Sequence, residues 1–291
     1  MSRGARTGTS RAVTSPPEIF VRDRRRTRRD RAARDYATFD FLRAWMLEGI
    51  ADRLSFVRRD FADILDLGCF GGAFIAPPDA RVTRIDAGRR FADQAGGIQG
   101  DEDQPRFADG SFDLIVSAGV LDTVNDLPGA LALIRRALRP DGLFLGAFLG
   151  GATLSTLRAA MLAAEVDRPA ARVHPMIDVR SAGDLMVRAG FALPVADVET
   201  LDVRYASLFD LVRDLRGMGG TSLLADPAPL SRATLARAVD AFAARADAAG
   251  RTVERFDTIF VTGWAPDPSQ PKPARRGSAR ASLADALKLR R

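Results

Sequence analysis

Ala62-Asp63-Ile64-Leu65-Asp66-Leu67-Gly68-Cys69-Phe70-Gly71-Gly72-Ala73-Phe74 sets the architecture expected of this 291-residue chain. An apolar run closes on an acid and then turns through glycines. A buried parallel strand hands over to a helix N-terminus in this way in a nucleotide-binding sheet. Glycine serves there because the backbone turns tightly and a ligand comes close to the main chain. Asp66 stands where a carboxylate can accept hydrogen bonds from a cationic or amide group of that ligand. An ordinary strand-turn-helix would read the same, so the continuation decides. About twenty residues on, Arg81-Val82-Thr83-Arg84-Ile85-Asp86 gives a second strand that ends in an acid, placed for the two hydroxyls of a ribose.

Further segments repeat the alternation. Gly100-Asp101-Glu102 follows a third short strand, Phe112-Asp113-Leu114-Ile115-Val116-Ser117 reads as a fourth, and Leu138 to Leu145 closes a helix and opens a fifth. Alternating strands and helices predict parallel pairing with right-handed crossovers. Ligands of such sheets sit at the carboxyl ends of the strands, where Asp66, Asp86, Asp101 and Ser117 fall. Residues 191–205 and 253–264 read as two closing strands.

This series resembles the class I S-adenosylmethionine-dependent methyltransferases. The resemblance implies an α/β fold: a Rossmann-like, mostly parallel seven-stranded sheet with an antiparallel last strand and helices on both faces. In that superfamily the glycine loop wraps the methionine part of the cofactor, the second acid holds the ribose and the acid after the third strand meets the adenine. Carried over, S-adenosylmethionine falls to Asp66, Gly68, Gly71 and Gly72, then Asp86, then Asp101 with Glu102, with Ser117 at the fourth strand. Phe70 departs from the pattern, since it stands where the family has its middle glycine. Either Gly71 takes the strain in a shifted turn or the ring partly fills the site. Pro77-Pro78 also clips the helix expected after the loop to about one turn.

Composition excludes several chemistries. Cys69 and His174 are the only cysteine and histidine, so no intrachain disulfide and no Cys/His zinc site can form, and no metal is expected. A His-based nucleophilic site would have to use His174, and a loop histidine is more often structural. No apolar run reaches the ~20 residues of a membrane-spanning helix. Without a secretory h-region the chain is expected in the cytoplasm, or in the mitochondrial matrix of a eukaryote. The net charge of +6 is unevenly spread: residues 1–34 carry +8, residues 272–291 carry +6, and the body between them carries −8. Basic arms on an acidic body suit a protein partner, RNA or an anionic membrane surface, and solvated tails would look the same. The arms lack the interleaved aromatics that stack on bases, which weighs against nucleic acid.

Taken in order, residues 1–16 read as a disordered basic tail, 17–265 as the methyltransferase-like domain and 266–291 as a flexible basic tail with a short helix at Leu283 to Leu287. Within the domain, 62–150 is the core and 151–265 completes the sheet and adds a helical cap. Phe39, Leu42, Met46, Ile50 and Leu54 predict a helix over about 37–54, near the mouth of the cofactor site. Helices are also expected over 154–165, 181–189, 207–217 and 231–248. The turn Arg216 to Thr221 is glycine-rich without a phosphate-loop lysine and reads as a hinge or lid.

The ends narrow the resemblance. Ile19 to Arg24, Arg31-Ala32-Ala33, Asn125-Asp126-Leu127-Pro128, Asp214 to Gly219, Gly263-Trp264 and Arg275 to Ala279 are similar to the respiratory complex I assembly factor family related to biotin-pathway malonyl methyltransferases. Its mitochondrial member is regarded as a protein arginine hydroxylase. Asp122-Thr123 stands where that family has His-Trp at the rim of the reaction site. Three functions follow as expectations. The leading one is an S-adenosylmethionine-dependent methyltransferase of protein or small-molecule substrates, with Asp122 or Tyr205 available as a base. The second is an assembly factor or hydroxylase acting on a respiratory-complex subunit. The third is a degenerate fold that only binds a partner.

Overall fold

The computed structural model describes residues 18–104, 107–166 and 169–271. The expected N-terminal tail, the helix at Leu283 to Leu287 and most of the C-terminal tail lie outside those residues. Seven strands form one sheet: β1 (Asp63–Leu67), β2 (Arg81–Asp86), β3 (Ile98–Gln99), β4 (Phe112–Ala118), β5 (Leu138–Gly150), β6 (Ala192–Tyr205) and β7 (Thr252–Trp264). Their order is β3-β2-β1-β4-β5-β7-β6. Pairing is parallel from β3 to β5, and β7 runs antiparallel to both β5 and β6. The expected mostly parallel sheet with its antiparallel last strand is the fold observed.

Side chains of β1 alternate between two cores, as the two-residue period of a strand requires. Ile64 packs with Leu114, Val116, Leu143 and Leu145 beneath Met46 and Ile50 of α2 (Phe41–Ser55). Leu65 and Leu67 turn the other way, with Ile115 and Phe144, toward Leu131 and Ile134 of α4 (Leu127–Ala137). Asp126 caps α4 through the Gly129 amide, and Pro128 fills its first turn. α3 (Arg89–Gln94) lies between β2 and β3. A third core joins α5 (Ser155–Ala164), α7 (Leu208–Gly217) and α8 (Arg232–Ala243) around Phe256 and Tyr205, while α6 (Val179–Arg188) covers β6 and β7.

Two departures from expectation matter for the site. First, no helix follows β1: residues 68–80 cross to β2 as turns, and Phe61, Phe74 and α2 seal that face of the sheet instead. Gly71-Gly72 and Pro77-Pro78 leave too short a run to nucleate even one stable turn. Second, an arginine-rich helix, α1 (Arg22–Ala32), precedes α2. It has no apolar face, yet Arg25 and Arg29 are buried in it.

The turn after β1 gives a direct test of how the chain tolerates side chains there. Gly68 has φ +79, and an added Cβ would stand 2.5 Å from both methyls of Val120. Gly71 has an ordinary φ, and a Cβ there would meet nothing within 4 Å. Gly68→Ala is therefore expected to lose about 2 kcal/mol or more in urea unfolding, and Gly71→Ala to stay within about 0.5 kcal/mol of wild type.

Candidate functional site

Asp86 closes β2 and gathers the turn of β1 around it. The Phe70 amide donates to its Oδ2 at 2.9 Å and the Gly88 amide to its Oδ1 at 2.7 Å. Gly68 and Gly72 take left-handed conformations, and so does Phe70, at φ 48. The strain falls on Phe70 itself and not on Gly71, so of the two alternatives the shifted turn is not the one observed, and the Phe70 ring lines the cavity. A left-handed conformation costs a non-glycine residue about 1–2 kcal/mol, and packing offsets it. The buried Phe70 ring stacks on Tyr36 at 4.9 Å and meets Phe91 edge-on at 5.2 Å. The Arg29 guanidinium lies 3.8 Å from its centroid.

α1 completes this arrangement. Arg22, Arg25, Arg26 and Arg29 fall on one helix face by their three- and four-residue spacing. That face meets the acids at the carboxyl ends of β2 and β3. Arg29 donates to both oxygens of Asp86. Arg25 takes both oxygens of Glu102, Arg26 reaches Asp101, and Arg22 grips Asp103 with two bonds of 2.6 Å. The start of the helix is tied down by Asn125, whose side chain donates to and accepts from the backbone of Phe20, and by the Val21 amide donating to the Leu223 carbonyl.

Beside this ladder lies a cavity of about 230 Å³. Met46, Leu149, Leu154 and Leu157 form apolar walls, and Arg25, Arg29, Tyr36, Arg43, Asp122, Arg172 and His174 supply its ionisable groups. Below Arg43, Asp66 is fully buried and neither of its oxygens has a hydrogen-bond partner. The Arg43 Nη2 is 3.8 Å from Asp66 Oδ1, and its Nε and Nη2 are themselves unpartnered. Burial pushes the Asp66 carboxyl up to about 6 against the pull of Arg43. The Ser117 hydroxyl is buried and unpartnered nearby in the sequence of β4. Asp122 is also raised by burial to about 6. His174 Nε2 accepts from the Leu223 amide at 2.8 Å, and burial lowers it to about 4, so it is a neutral structural acceptor. Tyr205 packs into the core around Phe256 and takes no part in the cavity, which removes it as a base. Among the described residues no cluster of acids, His and Cys could hold a metal ion.

A cofactor of the expected kind fits this site at one end. Asp66 and Arg43 carry opposite charges and keep atoms without hydrogen-bond partners, the polarity that the ammonium and carboxylate of an α-amino acid require. At the other end Arg29, Arg25 and Arg26 hold the acids expected to meet ribose and adenine, and Phe70 covers the turn. A nucleoside would fit there only with those side chains withdrawn. Sequence reasoning missed Arg25, Arg29 and Arg43. The signals were present, an i, i+3, i+4, i+7 arginine series and a charge beside the apolar face of α2, but an Arg-rich stretch reads first as a solvated arm.

Residues 65–146 match a family described as a methyltransferase domain. The chain is similar to "Arginine-hydroxylase NDUFAF5, mitochondrial" of Danio rerio, 33% identical over 98% of this chain and 94% of that protein. The Homo sapiens protein of the same name is 34% identical over 96% and 87%. A malonyl-acyl-carrier-protein O-methyltransferase of Laribacter hongkongensis is 31% identical over 86% and 92%. Among solved structures, the YcgJ protein of a Bacillus species shares the fold at TM-score 0.55, with 15% identity over 77% of this chain and 99% of that one. A putative methyltransferase of Bacillus halodurans does so at 0.54, with 14% identity over 76% and 99%.

Two stability measurements check this electrostatic account. Asp86→Ala leaves Arg29 buried without its carboxylate and is expected to cost about 3–5 kcal/mol in urea unfolding. His174 is held below its ordinary value in the folded chain, so the unfolded chain takes up the proton first. Its contribution is complete above about pH 6.5 and is lost as pH falls toward 4, by up to about 3 kcal/mol. The difference in stability between wild type and His174→Gln is expected to shrink across that window.

Proposed function

The chain belongs to the methyltransferase-fold family of the NDUFAF5 arginine-hydroxylases and malonyl-acyl-carrier-protein O-methyltransferases, and on that premise we propose that it is an S-adenosylmethionine-dependent methyltransferase with a nucleoside end guarded by α1. The observation that carries the reading is the Asp66 and Arg43 pair. Each is buried, each keeps unpartnered atoms, and together they have the polarity that a methionine head group needs. Asp86 would take the ribose, with Asp101 and Glu102 toward the base, once the α1 arginines release them. The chemistry that S-adenosylmethionine supplies is an electrophilic methyl group. The rest falls to the protein, which positions the nucleophile and keeps the cavity dry through Met46, Leu149 and Leu154.

A second reading is favoured by the length of the similarity, which runs along nearly the whole of this chain and of the Danio rerio protein. On that reading the substrate is a subunit of respiratory complex I and the modification is hydroxylation, in a mitochondrial or bacterial setting. Among the described residues no helix is long and apolar enough to cross a membrane. Contact with a membrane-bound complex would then run through the protein surface and the basic arms.

Calorimetric titration with S-adenosylmethionine and S-adenosylhomocysteine tests the first reading. Wild type is expected to bind both in the micromolar range, and Asp66→Asn to weaken both about tenfold or more, or ~1.4 kcal/mol. No heat at millimolar ligand would contradict it. Mass spectrometry of complex I subunits exposed to the chain separates the two readings: an added methyl supports the first, an added oxygen the second.

A further inference from the structure

α1 has a second charged face. Arg22, Arg25, Arg26 and Arg29 hold carboxylates at the sheet edge, whereas Arg24, Arg28 and Arg31 fall by helical spacing on the far side. That side meets the glycine-rich turn after α7. Gly219 is left-handed at φ +76, and an added Cβ would stand 3.5 Å from the Ala32 Cβ and 3.7 Å from the Arg28 carbonyl oxygen. Arg28 donates to the Thr221 hydroxyl and Arg24 to the Leu224 carbonyl. Arg216, in the last turn of α7, adds a fourth guanidinium to the group. Among the described residues none of the four pairs with a carboxylate. Like charges three and four residues apart weaken a helix, and the carbonyl end of α7 offsets only part of that. Burial, with Arg24, Arg31 and Arg216 close by, holds the Arg28 guanidinium below its ordinary value.

We propose that this outer face of α1, with Arg216, binds a condensed phosphate, either free or at the end of a nucleotide. The planar fork of a guanidinium takes two phosphate oxygens side by side. A chain of phosphates carries several charges and can meet several of the four arginines at once, which a single carboxylate cannot do. Arg31 and Arg216 also border a groove shared with Asp35, Phe39, Phe209 and Leu230. Phe209 and Leu230 are exposed there, so a nucleotide base has an apolar wall to lie against while its phosphates reach the arginines. The bound anion ties α1 to the turn after α7 and holds the helix seated. On the reading of α1 as the guard of the nucleoside end, it therefore opposes release of Asp86, Asp101 and Glu102, and the anion acts as an inhibitor.

The test titrates the full chain with tripolyphosphate, magnesium-free adenosine triphosphate and sulfate, at about 0.15 M salt to screen loose attraction. It compares wild type with Arg28→Gln/Arg216→Gln, with Arg216→Gln alone, and with Arg89→Gln, an exposed arginine elsewhere that pairs with Asp93. Thermal unfolding confirms that each variant folds, and the single change at exposed Arg216 serves if the double variant does not. Wild type is expected to bind tripolyphosphate about tenfold or more tightly than sulfate. The double variant is expected to lose about tenfold, Arg216→Gln about threefold, and Arg89→Gln less than twofold. Tighter binding of adenosine triphosphate than of tripolyphosphate assigns the site to a nucleotide lying in the groove, and equal or weaker binding assigns it to the free anion. Tripolyphosphate affinity that is the same in wild type and in both Arg216 variants places the anion on the basic tails and overturns the proposal, as does a wild type that does not prefer it to sulfate. Hydrogen–deuterium exchange in α1 is expected to slow with tripolyphosphate bound in wild type alone, and unchanged exchange there overturns the holding of α1. Bound tripolyphosphate is also expected to weaken S-adenosylhomocysteine about threefold or more, and unchanged affinity overturns the inhibition. If wild type binds no S-adenosylhomocysteine at all the cofactor reading fails, and the phosphate titrations and the exchange still decide the anion site.

Discussion

The two hydrogen bonds from Arg29 to Asp86 tie three parts of the molecule together. Through Asp86 they fix the Phe70 and Gly88 amides, and with them the turn after β1. Through Arg29 they seat α1, a helix with no apolar face of its own, against the carboxyl edge of the sheet. Through the guanidinium plane they brace Phe70, whose left-handed backbone needs support. Both partners are buried, so salt screens the pair far less than it would a surface bridge. The net worth of such a pair is modest because two charges are desolvated, but loss of either partner leaves the other stranded.

From that pair follows the electrostatic layout of the site. Opposite the carboxyl ends of β2 and β3, arginines and acids are matched one to one, and the ladder is neutral as a whole. Asp66 and Arg43 are matched in charge but not in hydrogen bonds. Asp122 feels the charges of Arg25 and Arg29, but its Oδ1 has no hydrogen-bond partner among the described residues. The site is therefore graded from a closed end near Asp86, through the buried Asp66 and Arg43 pair, to the Asp122 carboxylate that lines the cavity. In the folded chain Asp86, Asp101 and Glu102 are paired with α1, and on the proposed reading a nucleoside would need them free.

The sheet was legible because its signals are local. Apolar runs ending in Asp66 and Asp86, and the strand at Phe112 to Ser117, each carry their own pattern, and the order of pairing follows from the rules of parallel sheets. Most helix ends were close as well, but α2 begins at Phe41 against an expected 37 because residues 36–38 form a separate short turn, and α8 stops at Ala243 against an expected 248. The site was less legible because its decisive contacts are remote. Arg29 and Asp86 are far apart in sequence, and nothing local in an Arg-rich run distinguishes a solvated arm from a buried ladder. Phe70 was recognised as a departure, but which residue would bear the strain depended on Tyr36, Phe91 and Arg29 closing round its ring. Tyr205 misled for the opposite reason, since a polar tip on a core residue looks available until its packing is known.

Hydrogen–deuterium exchange across residues 22–32, with and without saturating S-adenosylhomocysteine, tests most directly whether α1 and a nucleoside compete for Asp86. Faster exchange in α1 with ligand bound, alongside unchanged protection in β4 and β5, is the result this account predicts. Ligand binding with α1 protected as strongly as before, or more so, would contradict it.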